Sequence, residues 1–413
     1  MLVRRFVGVA FATCLFVGCG PREDRAEPAP VVSIEWETCG DVECASFGVP
    51  LDRVASPSSR STLLELRAYR QISPAKESRH LPLVIHPGGP GADVRAAVSR
   101  VRTALAPIID DFDIYALSTR GSVDGAAFDC GESLRDLRVI DTDSAAAGRF
   151  AQGCRARSSK LVGHIGTLDS VDDLEDFRRA LGFESVRFLG WSYGATLGAA
   201  WAMSHPTSLR SVVLDAPSDP RSPWDVVLAR KYGAASRAFA RGTVSTSLDG
   251  GMTPREAALW RDYLLYEPEA TDDVSTLTSL RLGETPDGKN DGGIETQIGV
   301  HCSDVTRAET RAAIEVPESD PRVGFGATFD RICMELPPPP RPLSTIEVDG
   351  AATRLDVMVV STSGDHVIPA SVSQELAGGM LWRSVIVDAD RHLSVGFDPV
   401  ATKKAMAFLA TGE

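Results

Sequence analysis

Six short apolar runs recur along this chain, and helical patterns separate them. The runs are Leu81–His86, Phe112–Leu117, Val186–Gly190, Ser211–Asp215, Leu355–Val360 and Ser384–Asp388. Each is nearly continuous rather than alternating, so each predicts a strand covered on both faces, as in a parallel sheet between helical layers. Helical stretches at 92–106, 168–181, 193–205, 371–380 and 398–410 lie between or after them. In 168–181, Val171, Leu174, Phe177 and Leu181 recur at steps of three and four. Aspartates crowd the first turn, and Gly182 stops the pattern. Strand–helix alternation of this kind specifies an α/β sheet with right-handed crossovers.

The rhythm breaks between Pro220 and Pro342, where helical patterns at 223–241 and 254–265, a Gly/Asp-rich piece and Pro337–Pro340 replace the apolar runs. Strands resume at Leu355. The 413 residues exceed the roughly 250–300 that one core holds comfortably. The expected organisation is therefore a core in two parts, 31–220 and 343–413, with a mainly helical cap inserted at 221–342.

At the start, Arg4 and Arg5 precede thirteen uncharged residues, Phe6 to Gly18, too few to span a bilayer unaided. This reads as an export signal over 1–18. Small residues before Cys19 resemble the bacterial lipobox, which predicts lipidation at Cys19, a Pro-rich tether over 19–30 and a location on the extracytoplasmic or periplasmic side. The formal charge of −13 becomes −15 once Arg4 and Arg5 leave with residues 1–18, which disfavours a nucleic-acid partner. Export permits disulfides. Setting aside Cys14 and Cys19 leaves Cys39, Cys44, Cys130, Cys154, Cys302 and Cys333. Six cysteines allow 15 pairings, of which neighbour with neighbour is the simplest. Metal-ligand spacings such as C-x-x-C or H-E-x-x-H do not occur, so neither a metal nor another cofactor is expected.

Gly190-Trp191-Ser192-Tyr193-Gly194 follows a predicted strand and opens a helix of small residues. G-x-S-x-G in that setting is a nucleophile elbow, a strained turn that exposes the serine hydroxyl. A serine needs a base, and the base needs an orienting acid. Asp365 ends one predicted strand and His392 follows the next, which gives the order nucleophile, acid, base. His366 is a rival base, but it adjoins Asp365. Asp388 and Asp390 are rival acids, but they lie close to His392. An oxyanion hole requires two N–H donors aimed at one point. The Tyr193 amide is one, and Gly89 in His86-Pro87-Gly88-Gly89-Pro90-Gly91 is the other.

These residues resemble the α/β-hydrolase superfamily and, within it, the prolyl aminopeptidase and tripeptidyl-aminopeptidase-like serine hydrolases. The H-x-G-G-P-G-like loop and the GWSYG elbow carry the resemblance. Thr167–Leu174, Arg178–Gly182 and Val213–Pro220 extend it, and it covers about 35–410. Cys130/Cys154 and Cys302/Cys333 sit where exported members carry cysteine pairs. Two departures stand out: Ser118-Thr119-Arg120-Gly121 replaces Asp-Pro-Arg-Gly, and Arg391-His392-Leu393 replaces Gly-His-Gly. The resemblance implies a central parallel sheet with helices on both faces, and release of one or a few residues from the free amino end of a peptide. The ammonium of such a substrate calls for a carboxylate in the cap, for which Asp304 and Glu295 are candidates. A carboxylesterase using the same three residues is the alternative.

Overall fold

A computed structural model describes residues 34–55, 62–106, 108–122, 125–131, 143, 145–240, 293–316 and 326–412. All of these fall in one compact unit, Ser33–Glu413. The expected export signal at 1–18, Cys19, the tether at 19–30 and the helical pattern at 254–265 lie outside the described residues.

The strands are β1 (Glu37–Cys39), β2 (Val42–Pro50), β3 (Leu63–Gln71), β4 (Leu81–His86), β5 (Phe112–Leu117), β6 (Val186–Trp191), β7 (Leu209–Asp215), β8 (Asp356–Thr362) and β9 (Arg383–Val387). They form one sheet in the order β1-β2-β3-β5-β4-β6-β7-β8-β9. From β5 to β9 all pairings are parallel. The first three strands run antiparallel and add an edge that the apolar-run pattern does not announce. In β3 only Leu66, Ala68 and Tyr69 are buried, so its sequence, LLELRAYRQ, never forms a continuous apolar run.

Side chains of the parallel strands alternate between two cores. Leu83, Ile85, Ile114, Leu189 and Val213 face one side, with α1 (Val94–Leu105) and α10 (Pro399–Thr411). Val84, Tyr115, Phe188, Val212 and Leu214 face the other, with α3 (Thr167–Ala180), α4 (Tyr193–Ser204) and α9 (Ala370–Met380). Strand order explains the division. The crossover from β4 to β5 travels one way along the sheet, while β6 to β7 and β8 to β9 travel the other. With one handedness throughout, α1 must cover the face opposite α4 and α9. The order reverses at β4, and the crevice beyond the carboxyl ends of β4 and β6 is the switch point where such sheets bind ligands.

Between β7 and β8 the described residues include the helices α5 (Trp224–Ala240), α6 (Gly293–Asp304), α7 (Arg307–Glu315) and α8 (Gly326–Glu335) and no strand. A further helix, α2 (Ala146–Arg157), packs beside α8 in a separate core that also takes in Ile298, Val300 and Cys302 of α6. Disulfides join Cys39 to Cys44 across the first hairpin, Cys130 to Cys154 of α2, and Cys302 of α6 to Cys333 of α8. That is the neighbour pairing. Arg120, at the departure Ser118–Gly121, is fully buried. It donates to both Asp173 carboxylate oxygens, at 2.6 and 2.9 Å, and to the carbonyls of Leu51 and His164, at 2.6 and 2.9 Å. It therefore fastens the end of β2 and the loop before α3 to that helix.

Candidate active site

Ser192 is the single residue between β6 and α4, and its φ of 53° and ψ of −123° lie where L-residues are strained. The flanking glycines explain how the chain turns there. A Cβ at Gly190 would stand 2.3 Å from the Gly194 carbonyl oxygen, and one at Gly194 would stand 2.2 Å from that of His86. The Ser192 amide donates to the Asp215 carbonyl at 2.8 Å, which holds the turn against β7. The side chain faces a cavity, above the positive end of α4.

The loop after β4 lies on this elbow. A Cβ at Gly88 would come 2.6 Å from the Trp191 carbonyl oxygen and 3.4 Å from the Tyr193 nitrogen, so only glycine allows the approach. His86 is buried, and its Nδ1 accepts from the Gly88 amide at 3.2 Å. Burial lowers its pKa to about 4, so the ring is neutral and fixes the glycine loop as an acceptor. Gly89 and Tyr193 line the cavity with Ser192.

Asp365 and His392 follow β8 and β9. His392 Nδ1 is 2.8 Å from Asp365 Oδ2, and both residues are buried. Asp365 Oδ1 accepts from the amides of Val367 and Ile368 at 2.8 and 2.9 Å. The carboxylate is thus an acceptor throughout, which puts the shared proton on Nδ1 and leaves Nε2 as the basic nitrogen. Asp388, a rival acid, accepts from Ser363 Oγ at 2.8 Å instead. His366, the rival base, lines the cavity.

Asp215 was not anticipated. It is fully buried at the end of β7, and its Oδ2 accepts from the amides of Ser394 and Val395, both at 2.7 Å. Trp191 Nε1 donates to the Val395 carbonyl at 2.9 Å. The loop that carries His392 is therefore tied to the residue before Ser192 and to the strand that holds the Ser192 amide. An aspartate closing the apolar run Ser211–Asp215 was the available signal. Burial raises its pKa to about 6 despite those amides. Asp215→Ala leaves two buried amides unsatisfied, at about 1–3 kcal/mol each. We expect it to lower the denaturant midpoint and to cut kcat by about tenfold or more, read by urea titration and steady-state kinetics.

The cavity measures about 250 Å³, and helices α5, α6 and α8 supply much of its wall, including Trp224, Tyr232, His301 and Phe329. Asp304, at the end of α6, belongs to that wall. Its oxygens accept from the Thr167 amide at 2.7 Å and from Thr167 Oγ1 at 2.6 Å, and burial above all raises its pKa to about 7. Thr167 Oγ1 also lies 3.0 Å from the Tyr193 hydroxyl, which links this carboxylate to the elbow. The other ammonium candidate, Glu295, is buried elsewhere: its carboxylate accepts from the Cys130 amide at 3.0 Å, and it is not a cavity-wall residue. His301 pairs with Asp330 at 3.0 Å, and Trp224 Nε1 donates to the same carboxylate at 3.1 Å.

Residues 82–394 match the family described as alpha/beta hydrolase fold. Serine protease Hip1 of Mycobacterium tuberculosis (strain H37Rv) is 27% identical over 246 residues, 52% of this chain and 46% of that protein. The tripeptidyl aminopeptidase of Streptomyces lividans is 26% identical over 217 residues, 47% of this chain and 40% of that protein. The matches thus span about half the length of these relatives or less. Among solved structures, the proline iminopeptidase of Mycobacterium smegmatis superposes with a TM-score of 0.42 at 16% identity, covering 89% of this chain and 98% of that one.

Proposed function

The chain belongs to the alpha/beta hydrolase fold family, and on that premise we propose that it is an exported serine aminopeptidase that releases one or a few residues from the free amino end of a peptide. The observation that carries the reading is Ser192, held in a strained turn on a cavity whose wall contains the buried carboxylate of Asp304. Ser192 Oγ attacks the scissile carbonyl while His392 Nε2 takes its proton, and Asp365 keeps the imidazole in the required tautomer. The Gly89 and Tyr193 amides stabilise the oxyanion. His392 then protonates the departing amine, and water, deprotonated by the same ring, hydrolyses the acyl-enzyme. The three disulfides suit an oxidising compartment, as the export signal and lipidation at Cys19 require.

Asp304 is the acceptor for the substrate ammonium. Its two bonds to Thr167 use only part of a carboxylate's capacity of about four acceptor sites. A charge-assisted hydrogen bond is worth about 1.5–3 kcal/mol, or roughly 10–100-fold in affinity. Acetylating the substrate's amino end should raise KM by that factor, and Asp304→Asn should abolish the difference. The pH dependence has a definite sign: the carboxylate is charged above about 7 and neutral below. KM for free-amino peptides should therefore rise as pH falls through about 7, while KM for acetylated ones stays level. Equal kcat/KM for both substrates would overturn the aminopeptidase reading in favour of ester hydrolysis.

A further inference from the structure

A second cavity, of about 330 Å³, opens at the opposite edge of the sheet, among the amino ends of β6, β7 and β8 and the carboxyl end of α10. Its volume falls in the ~300–1,000 Å³ range of small-molecule sites. Arg187 lies in its wall and is 8% exposed. Its Nε donates to the Leu409 carbonyl at 2.6 Å, but Nη1 and Nη2 have no partner among the described residues. The Leu409 carbonyl already receives the Ser211 hydroxyl at 2.9 Å. Arg210 stands in the same wall, also without an ion pair among the described residues. Burial, then Arg210 and Arg79, draws the Arg187 pKa down. Arg79 is itself occupied, by Asp111 at 2.8 Å. A guanidinium held by its Nε beside a second cation, with two donors open to the cavity, is equipped to receive an anion.

We propose that this cavity is a phosphate-binding site, in which the Arg187 fork and Arg210 hold the anion's oxygens and Ser185 and Thr207 add hydroxyl donors. Arg forks match phosphate bidentately. Asp356, the wall's carboxylate, can only accept, so it discriminates among anions. It repels sulfate, which brings no proton at neutral pH, and accepts from the hydroxyl of monohydrogen phosphate or of a protonated phosphomonoester. The site lies at the opposite edge of the sheet from Ser192 and is independent of the reading given for that residue.

The test is calorimetric titration of the full chain with inorganic phosphate at constant ionic strength, alongside sulfate and chloride. The expected result is saturable phosphate binding, with sulfate weaker by about tenfold or more, the scale of one charge-assisted hydrogen bond. Arg210→Gln, a change at an exposed side chain, should weaken phosphate binding by a similar factor while leaving hydrolysis at Ser192 unchanged. Co-sedimentation with vesicles of phosphatidylcholine and phosphatidic acid separates the sources. Retention that depends on Arg210 identifies a lipid headgroup, and phosphate binding without retention identifies a soluble phosphate. No saturable phosphate binding, equal binding of sulfate, or an undiminished response in Arg210→Gln would each overturn the assignment.

Discussion

Ser192→Ala lowers kcat for free-amino peptide amides by about 10⁴-fold or more, the scale on which loss of a nucleophile is felt when its base and orienting acid remain. The fold should persist, because the Ser192 amide bond to Asp215 and the two bonds its carbonyl accepts from Ala195 and Thr196 are all backbone. Alanine inherits the backbone strain at φ 53°, whereas glycine does not. Strain of this type costs about 1–3 kcal/mol, and glycine returns part of the gain through a more flexible unfolded chain. Ser192→Gly should therefore be as inactive as Ser192→Ala yet more stable by about 1–2 kcal/mol. Thermal unfolding of the two variants beside wild type checks the stability, and peptide-amide turnover checks the loss. Undiminished turnover in either variant removes Ser192 as nucleophile.

Asp365→Asn is expected to cost nearly as much, for a different reason. Oδ1 of Asp365 is committed to the Val367 and Ile368 amides, which require an acceptor. An asparagine must keep its carbonyl oxygen there and turn its NH₂ toward His392. The imidazole then accepts at Nδ1 and carries its proton on Nε2, where it can no longer receive the serine proton. A drop in kcat of about 10⁴-fold follows from the wrong tautomer alone. Nitrogen-15 NMR of the His392 ring reads the tautomer directly, independently of turnover. Activity within about tenfold of wild type would mean that another group orients the base.

The parallel part of the sheet was legible where both faces of a strand are covered. β9 departs from the expectation, because it is the edge strand and none of its residues is buried, Ile386 being 54% exposed. Val186–Gly190 and Ser211–Asp215 could be read directly, since every residue from Val186 to Gly190 is buried. β2 and β3 were not legible: their buried and exposed positions are interleaved with charges such as Glu43, Glu65 and Arg67. Helix α3 announced itself by its 3–4 spacing, while α6, with glycines and small residues in Gly293–Asp304, had no comparable stripe. Ser192, Asp365 and His392 are candidates that residue type and position after strands already single out. The role of Asp215 is not legible in the sequence, because an acid at a strand end looks solvated and only the fold brings the 394–395 loop over it. Glu295 and Asp304 lie nine positions apart on the same helix and could not be told apart by sequence. One turns to Cys130, the other to the cavity.

By itself, the sequence determined which segments are apolar enough to form strands, where the backbone turns through glycine, and which side chains are chemically equipped. These are local properties, carried by periodicity and by residue type. The tertiary structure decided which loops meet. Strand order sets the neighbours at the carboxyl edge, and no local pattern encodes that order. It also decided which acids lose their water, and desolvation is what moves Asp215 to about 6 and Asp304 to about 7.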